Sequence, residues 1–194
     1  MKTANVTIEG ISPHSPSRFY DPQREGKETA DELEKRTWRQ RIHVNAAGAP
    51  FIPPMMLKKC LESASSYLGK IPGERNATYT KRFKSGILIT DELPLFKSND
   101  KNGWRPATLD DFEGEWLFLD ANGKPGGTRV KRCMPRILNP WRATSTIYVL
   151  DEVINRDVLA KAFEDAGTFV GLGRFRPANG GFYGRFKLIN IQMS

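Results

Sequence analysis

Apolar and polar positions alternate along several stretches of this chain, and alternation with period two marks a strand with one buried face. VTIEGI (6–11) is the first. WRQRIHVN (38–45) predicts a strand with Trp38, Gln40, Ile42 and Val44 on one side and Arg39, Arg41, His43 and Asn45 on the other. FKSGILIT (83–90), ATSTIYVLD (143–151) and FYGRFKLINI (182–191) read the same way, the second being rich in β-branched residues. EWLFLDA (115–121) and TRVKRCMPRIL (128–138), joined by the turn ANGKPGGT, predict a hairpin. Arg132 and Arg136 share a face of its second strand with Val130 and Met134. On the closing strand, alternation puts Tyr183, Arg185 and Lys187 on one face and Phe182, Gly184, Phe186 and Leu188 on the other, which assigns Phe182 and Phe186 to the core.

Two stretches switch to a helical period. Met56, Leu57, Cys60, Leu61, Ala64 and Leu68 recur at three- and four-residue spacing, with Pro53 and Pro54 at the start and Gly69 as the stop. Lys58 and Lys59 fall on the flank of its first turn. Asn155 caps a second helix over 156–166, buried through Val158, Leu159, Ala162, Phe163 and Ala166 and ended by Gly167. Three segments read as excursions: 12–37, an exposed loop with a short acidic helix at 28–36; 69–84, a basic loop; and 91–114, acidic and rich in Pro and Asn. The order predicts an α+β fold, a ferredoxin-like antiparallel sheet backed by two helices, with long loop insertions in one domain. Such a sheet leaves one face open, and a basic open face suits a single strand of nucleic acid.

Charge sharpens this picture. The net charge of +8 is unevenly distributed. Residues 51–90 carry seven basic and two acidic side chains, and 129–194 carry eleven and five. Between them, 91–128 carries four basic and eight acidic ones. Blocks of this kind point to a basic groove with an acidic surface elsewhere, and to a polyanionic partner.

GLGRFRPANGGFYGRF (171–186) concentrates glycines, arginines and aromatics. A dinucleotide fingerprint needs a glycine where Arg176 stands, and no Walker lysine–serine ending is present. The stretch reads instead as a hairpin whose glycines bring backbone near phosphates while Arg174, Arg176 and Arg185 supply charge. Tyr183 and Phe175 are its stacking candidates. Further nucleic-acid contacts are expected from Arg39, Arg41, His43, Lys58, Lys59, Lys81, Arg82, Arg132 and Arg136. His43 is the one catalytic candidate, as a general acid or base, and His14 is incidental.

No metal site or cofactor is expected, because two cysteines and two histidines lie far apart without metal-ligand spacing. Asp110–Asp111 and Asp151–Glu152 are adjacent pairs, which on a strand point to opposite faces. Cys60 and Cys133 read as buried thiols of a cytoplasmic protein. No apolar run reaches the ~18–20 residues that span a bilayer, so no membrane is expected as a partner.

Two segments carry a family resemblance. AGAPFIPPMMLKKCLESAS (47–65) resembles the segment of the RAMP superfamily in which a strand leads through a Pro-containing loop into the first helix. IYVLDEVINRDVLAKAFEDAGTFVGLGRFRPANGGFYGRFKL (147–188) is similar to that superfamily's closing strand, helix, glycine-rich loop and strand. Pro54-Met55-Met56 and Lys59 depart from the usual Gly-Ser-Ser and glycine. The resemblance is closest to backbone subunits of CRISPR interference complexes of antiviral defence, or to a viral or mobile-element relative. It implies a modified RNA-recognition fold that binds single-stranded RNA, assembles along it and uses one excursion as a thumb.

The leading reading is therefore a binding protein rather than an enzyme. It holds single-stranded nucleic acid, RNA before DNA, in a basic groove as an oligomerising subunit of a ribonucleoprotein complex. Two alternatives stand beside it: a metal-independent endoribonuclease using His43, and a protein-interaction module or inhibitor that mimics a nuclease-complex subunit.

Overall fold

The computed structural model of the chain describes residues 1–99, 103–120 and 126–194. In chain order the strands are β1 (Lys2–Gly10), β2 (Phe51–Ile52), β3 (Ile87–Leu88), β4 (Leu93–Ser98), β5 (Trp104–Pro106), β6 (Phe112–Asp120), β7 (Arg129–Ile137), β8 (Trp141–Val149) and β9 (Phe186–Met193). The helices are α1 (Ala30–Thr37), α2 (Pro54–Ala64), α3 (Tyr79–Gly86) and α4 (Arg156–Asp165). The main sheet runs β2-β4-β8-β1-β9, with β3 on β8 and β5 on β4, and β6 and β7 form a separate hairpin. Every pairing is antiparallel. The fold is α+β, as the order of periodicities predicts.

One sheet face is covered. Ala4, Val6 and Ile8 of β1, Ala143 and Ile147 of β8 and Ile191 of β9 turn toward Leu57, Cys60 and Leu61 of α2 and Leu159 and Phe163 of α4 in one core cluster. The two predicted helices are present with the predicted buried faces, and the Asn155 side chain accepts from the Val158 N–H as the cap of α4. Gly167 does not end α4. The chain continues through a π-helical turn, Ala166–Val170, and leaves helical geometry at Gly171.

The other face carries no helix, and it is not basic. Cross-strand rows put Gln192, Asn5 and Thr146 side by side, then Asn190, Thr7 and Thr144, then Lys187, Glu9 and Arg142. Glu9 lies 2.7 Å from Arg142 and 2.8 Å from Lys187, so the one acid of that last row pairs with both cations. Asp91 and Glu92 stand beside the first two rows. The basic open face expected from sequence is replaced by an amide and hydroxyl surface.

Four further expectations are corrected. Residues 38–45 are not a strand: Trp38–Arg41 is a 3-10 turn continuing from α1, and chance alternation in a four-residue turn imitates a strand. The basic loop contains α3, which buries Tyr79 and Phe83 four residues apart on one side, and the strand expected over 83–90 shrinks to Ile87–Leu88. The 91–114 excursion supplies β4, a member of the main sheet with Leu93 and Leu95 buried. Within 12–37 the acidic helix forms, capped by a Thr29–Glu32 box, but Ser12, His14 and Ser15 are buried rather than exposed. Residues 121–125 of the predicted ANGKPGGT turn and residues 100–102 lie outside the described residues.

Candidate nucleic-acid interface

The buried segment Ser12–Ser15 bridges the β6–β7 hairpin and the glycine-rich loop through backbone groups. His14 and Ile137 exchange both N–H bonds, at 3.0 and 2.9 Å, and Ser15 Oγ donates to the Pro135 carbonyl at 2.8 Å. From the other side the Gly184 N–H donates to Pro13 O at 2.7 Å and the Arg174 N–H to Ser15 O at 2.9 Å. This contact requires glycine. A β-carbon on Gly173 (φ +78°) falls 2.2 Å from Ser15 O, and one on Gly184 (φ +67°) meets Leu172 O. The loop's glycines thus bring backbone against protein backbone.

Phe175 is the one non-glycine residue at positive φ, 51°, among the described residues. An extended chain sends successive side chains to opposite sides. The left-handed residue breaks that alternation, and Arg174, Phe175 and Arg176 all line one groove. The groove measures about 950 Å³ and is completed by Arg18, Phe19 and Tyr20 from the loop after β1, Arg41 after α1, and Leu119, Val130, Arg132 and Met134 from the hairpin. Five arginines and three aromatics share it with Asp21 and Asp120.

These arginines are not equivalent. Arg41 is buried and donates to both carboxylate oxygens of Glu34, at 2.7 and 2.9 Å, and to the Cys133 carbonyl at 3.0 Å. Arg132 donates to the same carboxylate at 2.6 Å, and the Cys133 N–H adds a fourth bond at 3.1 Å. Burial pushes the Glu34 carboxyl up, but these charged and backbone donors outweigh it and hold it below the usual carboxylate range. By contrast, the Arg174 side chain bonds only the Met134 sulfur, at 3.7 Å; burial and then Arg41 lower its affinity for its proton, against a smaller opposing pull from Glu34. Arg176 leaves Nε buried without an acceptor. Arg18 reaches only the Gln40 carbonyl, at 3.5 Å. Arg18, Arg174 and Arg176 therefore line the groove without an ion pair among the described residues.

A second network anchors the loop to the hairpin. The Tyr183 hydroxyl donates to Glu115, and Arg136 bonds Glu113 at 2.7 Å and Glu115 at 2.9 Å. Burial and the Glu115 carboxylate push the Tyr183 phenol up. The closing strand starts only at Phe186, so the alternation assumed for residues 182–185 fails. Tyr183 is buried and Phe182 is exposed, the reverse of the expected facing.

Of the residues singled out in the sequence, Arg41, Arg132, Arg174 and Arg176 meet at this groove, while Arg136 is taken up by Glu113 and Glu115 outside its lining. Lys58 lies on the helical layer, donating to the Lys84 and Ile87 carbonyls at 2.9 and 2.7 Å and pairing with Glu62. Lys59 also pairs with Glu62, and Arg82 pairs with Glu74 and Asp151. Lys81 is exposed on α3. Arg185 donates to the Thr168 carbonyl, and Arg39 lies 4.7 Å over the Trp38 ring. His43 is half-buried against Phe51 with Nε2 unpartnered, and burial, then the Arg18 charge, lowers its basicity. Sequence reasoning missed Arg18, Phe19, Tyr20 and Glu34. They lie in a stretch that reads as solvent-exposed, and only the Pro-bounded FY pair hinted otherwise. His14 is no incidental loop residue: it is fully buried, 5.4 Å from the Trp141 ring, and burial pushes its imidazole down to about 4.

Among the described residues no group of His, Cys, Asp and Glu is placed to hold a metal ion, and no helix is long and apolar enough to cross a membrane. No protein-family profile matches the chain, and no curated protein matches it in sequence. Solved structures do. A chain of Type III-B Cmr-beta bound to cognate target RNA superposes on 99% of this chain with a TM-score of 0.56 at 16% identity. This chain spans 60% of that chain's length. Cmr6 from Pyrococcus furiosus is matched over 97% of this chain and 99% of its own (TM-score 0.48, 14% identity). A CRISPR protein from Archaeoglobus fulgidus is matched over 100% and 62% (0.36, 9%). The likeness to the Cmr-beta chain is one of fold.

Proposed function

We propose that this chain is a non-catalytic nucleic-acid-binding subunit of a ribonucleoprotein complex, built as one RAMP-like, ferredoxin-like domain. It holds a single strand, RNA before DNA, in the arginine groove and associates with further copies or other subunits along that strand. The observation that carries the reading is the pair Arg174 and Arg176, which line a groove of about 950 Å³ in which cations outnumber carboxylates, five arginines to Asp21 and Asp120, and which form no ion pair with either acid. Arginine suits this role because its planar fork matches phosphate oxygens and never loses its charge. The fold likeness to a chain of an RNA-bound Cmr-beta complex supports RNA as the partner. Arg132 contributes from the rim. Arg41 and Glu34 shape the site from beneath.

Fluorescence anisotropy with labelled single-stranded RNA and DNA at ~100 mM salt tests this. The double variant Arg174→Ala/Arg176→Ala is expected to lose tenfold or more in affinity, since each charged hydrogen bond contributes about 1.5–3 kcal/mol. Failure of the unsubstituted protein to bind either strand would falsify the reading.

A further inference from the structure

We infer that Phe175 is a base-stacking residue, so that the groove takes an unstacked nucleobase together with its flanking phosphates. The inference rests on the groove reading above and adds what the ligand must present there. Phe175 adopts φ 51°, a conformation in which glycine is at ease and a β-carbon is not. With that backbone Phe175 lines the groove together with its two chain neighbours, Arg174 and Arg176, neither of which is in an ion pair.

The ring is held in place. Its carbonyl accepts from the Tyr183 N–H at 2.9 Å, and the Tyr183 ring stands nearly perpendicular to it at 5.9 Å. Tyr183 is itself fixed by Glu115 and Arg136. The same groove is also lined by Tyr20 and by Phe19, which is 88% exposed. Aromatics interleaved with arginines in one groove match the alternation of base and phosphate along a single strand. In a duplex the bases are stacked on each other and unavailable to it. The ligand class is therefore a single strand with at least one free base face, of either sugar.

The experiment separates base from phosphate. Two probes are titrated: a fluorescent oligouridylate of about ten nucleotides, and inorganic polyphosphate, which has the charges without the bases. Phe175→Gly relaxes the backbone and removes the ring, Phe175→Leu keeps apolar bulk, and Phe175→Tyr keeps a ring. Glycine and leucine are expected to weaken the oligonucleotide about tenfold, the contribution of one stacked base, and leave polyphosphate within twofold. Tyrosine is expected to retain unsubstituted affinity for both probes. Unchanged oligonucleotide binding in Phe175→Leu overturns the inference and leaves the groove reading standing. Equal losses for both probes overturn it too, because Phe175 then only shapes the loop. An unsubstituted protein that binds neither probe overturns both readings.

Discussion

Arg41 and Glu34 meet in a buried two-bond ion pair, Nη1 lying 2.7 Å from one carboxylate oxygen and Nη2 2.9 Å from the other. Both side chains are nearly sealed from water, at 8% and 1% exposure. Removing one partner of such a pair leaves an uncompensated buried charge. Glu34→Gln is expected to cost about 3–5 kcal/mol, a fall of roughly 10 °C in melting temperature by circular dichroism. Arg132→Ala, whose guanidinium is 43% exposed, is expected to cost far less.

Stability is expected to fall in mild acid before the carboxylates titrate. His14 in the folded chain sits at about 4, against 6.5 for the free side chain, because burial opposes its charge. His43 shifts in the same direction. A depressed folded value means that the unfolded chain takes up the proton first. The contribution is fully present above pH 6.5 and is lost as pH falls toward 4, amounting to about 3 kcal/mol for His14. Urea titrations at pH 7.5 and 4.5 measure it, and a midpoint unchanged between them would contradict the buried neutral imidazole.

Neither thiol is expected to react in the folded protein. Burial pushes Cys60 up to about 12, its Sγ donating to the Gly171 carbonyl at 3.3 Å, while burial and then Glu34 raise Cys133. A thiol that stays protonated is a poor nucleophile. A chromogenic disulfide reagent at pH 8 should titrate almost nothing until denaturant is added, and then both cysteines.

Lysines of the helical layer should divide by role. Lys58 holds the C-terminal turn of α3 through two carbonyls, so Lys58→Ala is expected to cost about 1–2 kcal/mol without changing nucleic-acid affinity. Lys81→Ala, on the exposed side of α3, should move stability by no more than about 0.5 kcal/mol. Thermal melts of the two variants, run beside anisotropy titrations, read both quantities.

What the sequence discloses here is set by how local each feature is. The hairpin β6–β7, α2 and the Asn155-capped α4 follow from periodicity and one cap, which act within a dozen residues. The 3-10 turn at Trp38–Arg41 is too short to show a period, and the acid that claims Arg41 stands seven residues upstream in a helix that looks fully solvated. β4 hides because Pro94 and the flanking Asp91 and Glu92 mask the alternation of Leu93 and Leu95. The groove draws on four distant parts of the chain, so composition marked Arg132, Arg174 and Arg176 but nothing local marked Arg18, Phe19 or Tyr20 as their neighbours.

Glu9, set between Arg142 and Lys187, has an effect that reaches beyond its own row. With Asp91 and Glu92 beside the neighbouring rows, it leaves the broad sheet face with little net charge to attract a polyanion. The number of counterions displaced on binding then follows the arginines left unpaired in the groove rather than the net charge of +8. Three such arginines give a slope of about −2 in log affinity against log salt for a single strand, where eight contacts would give between about −5 and −6.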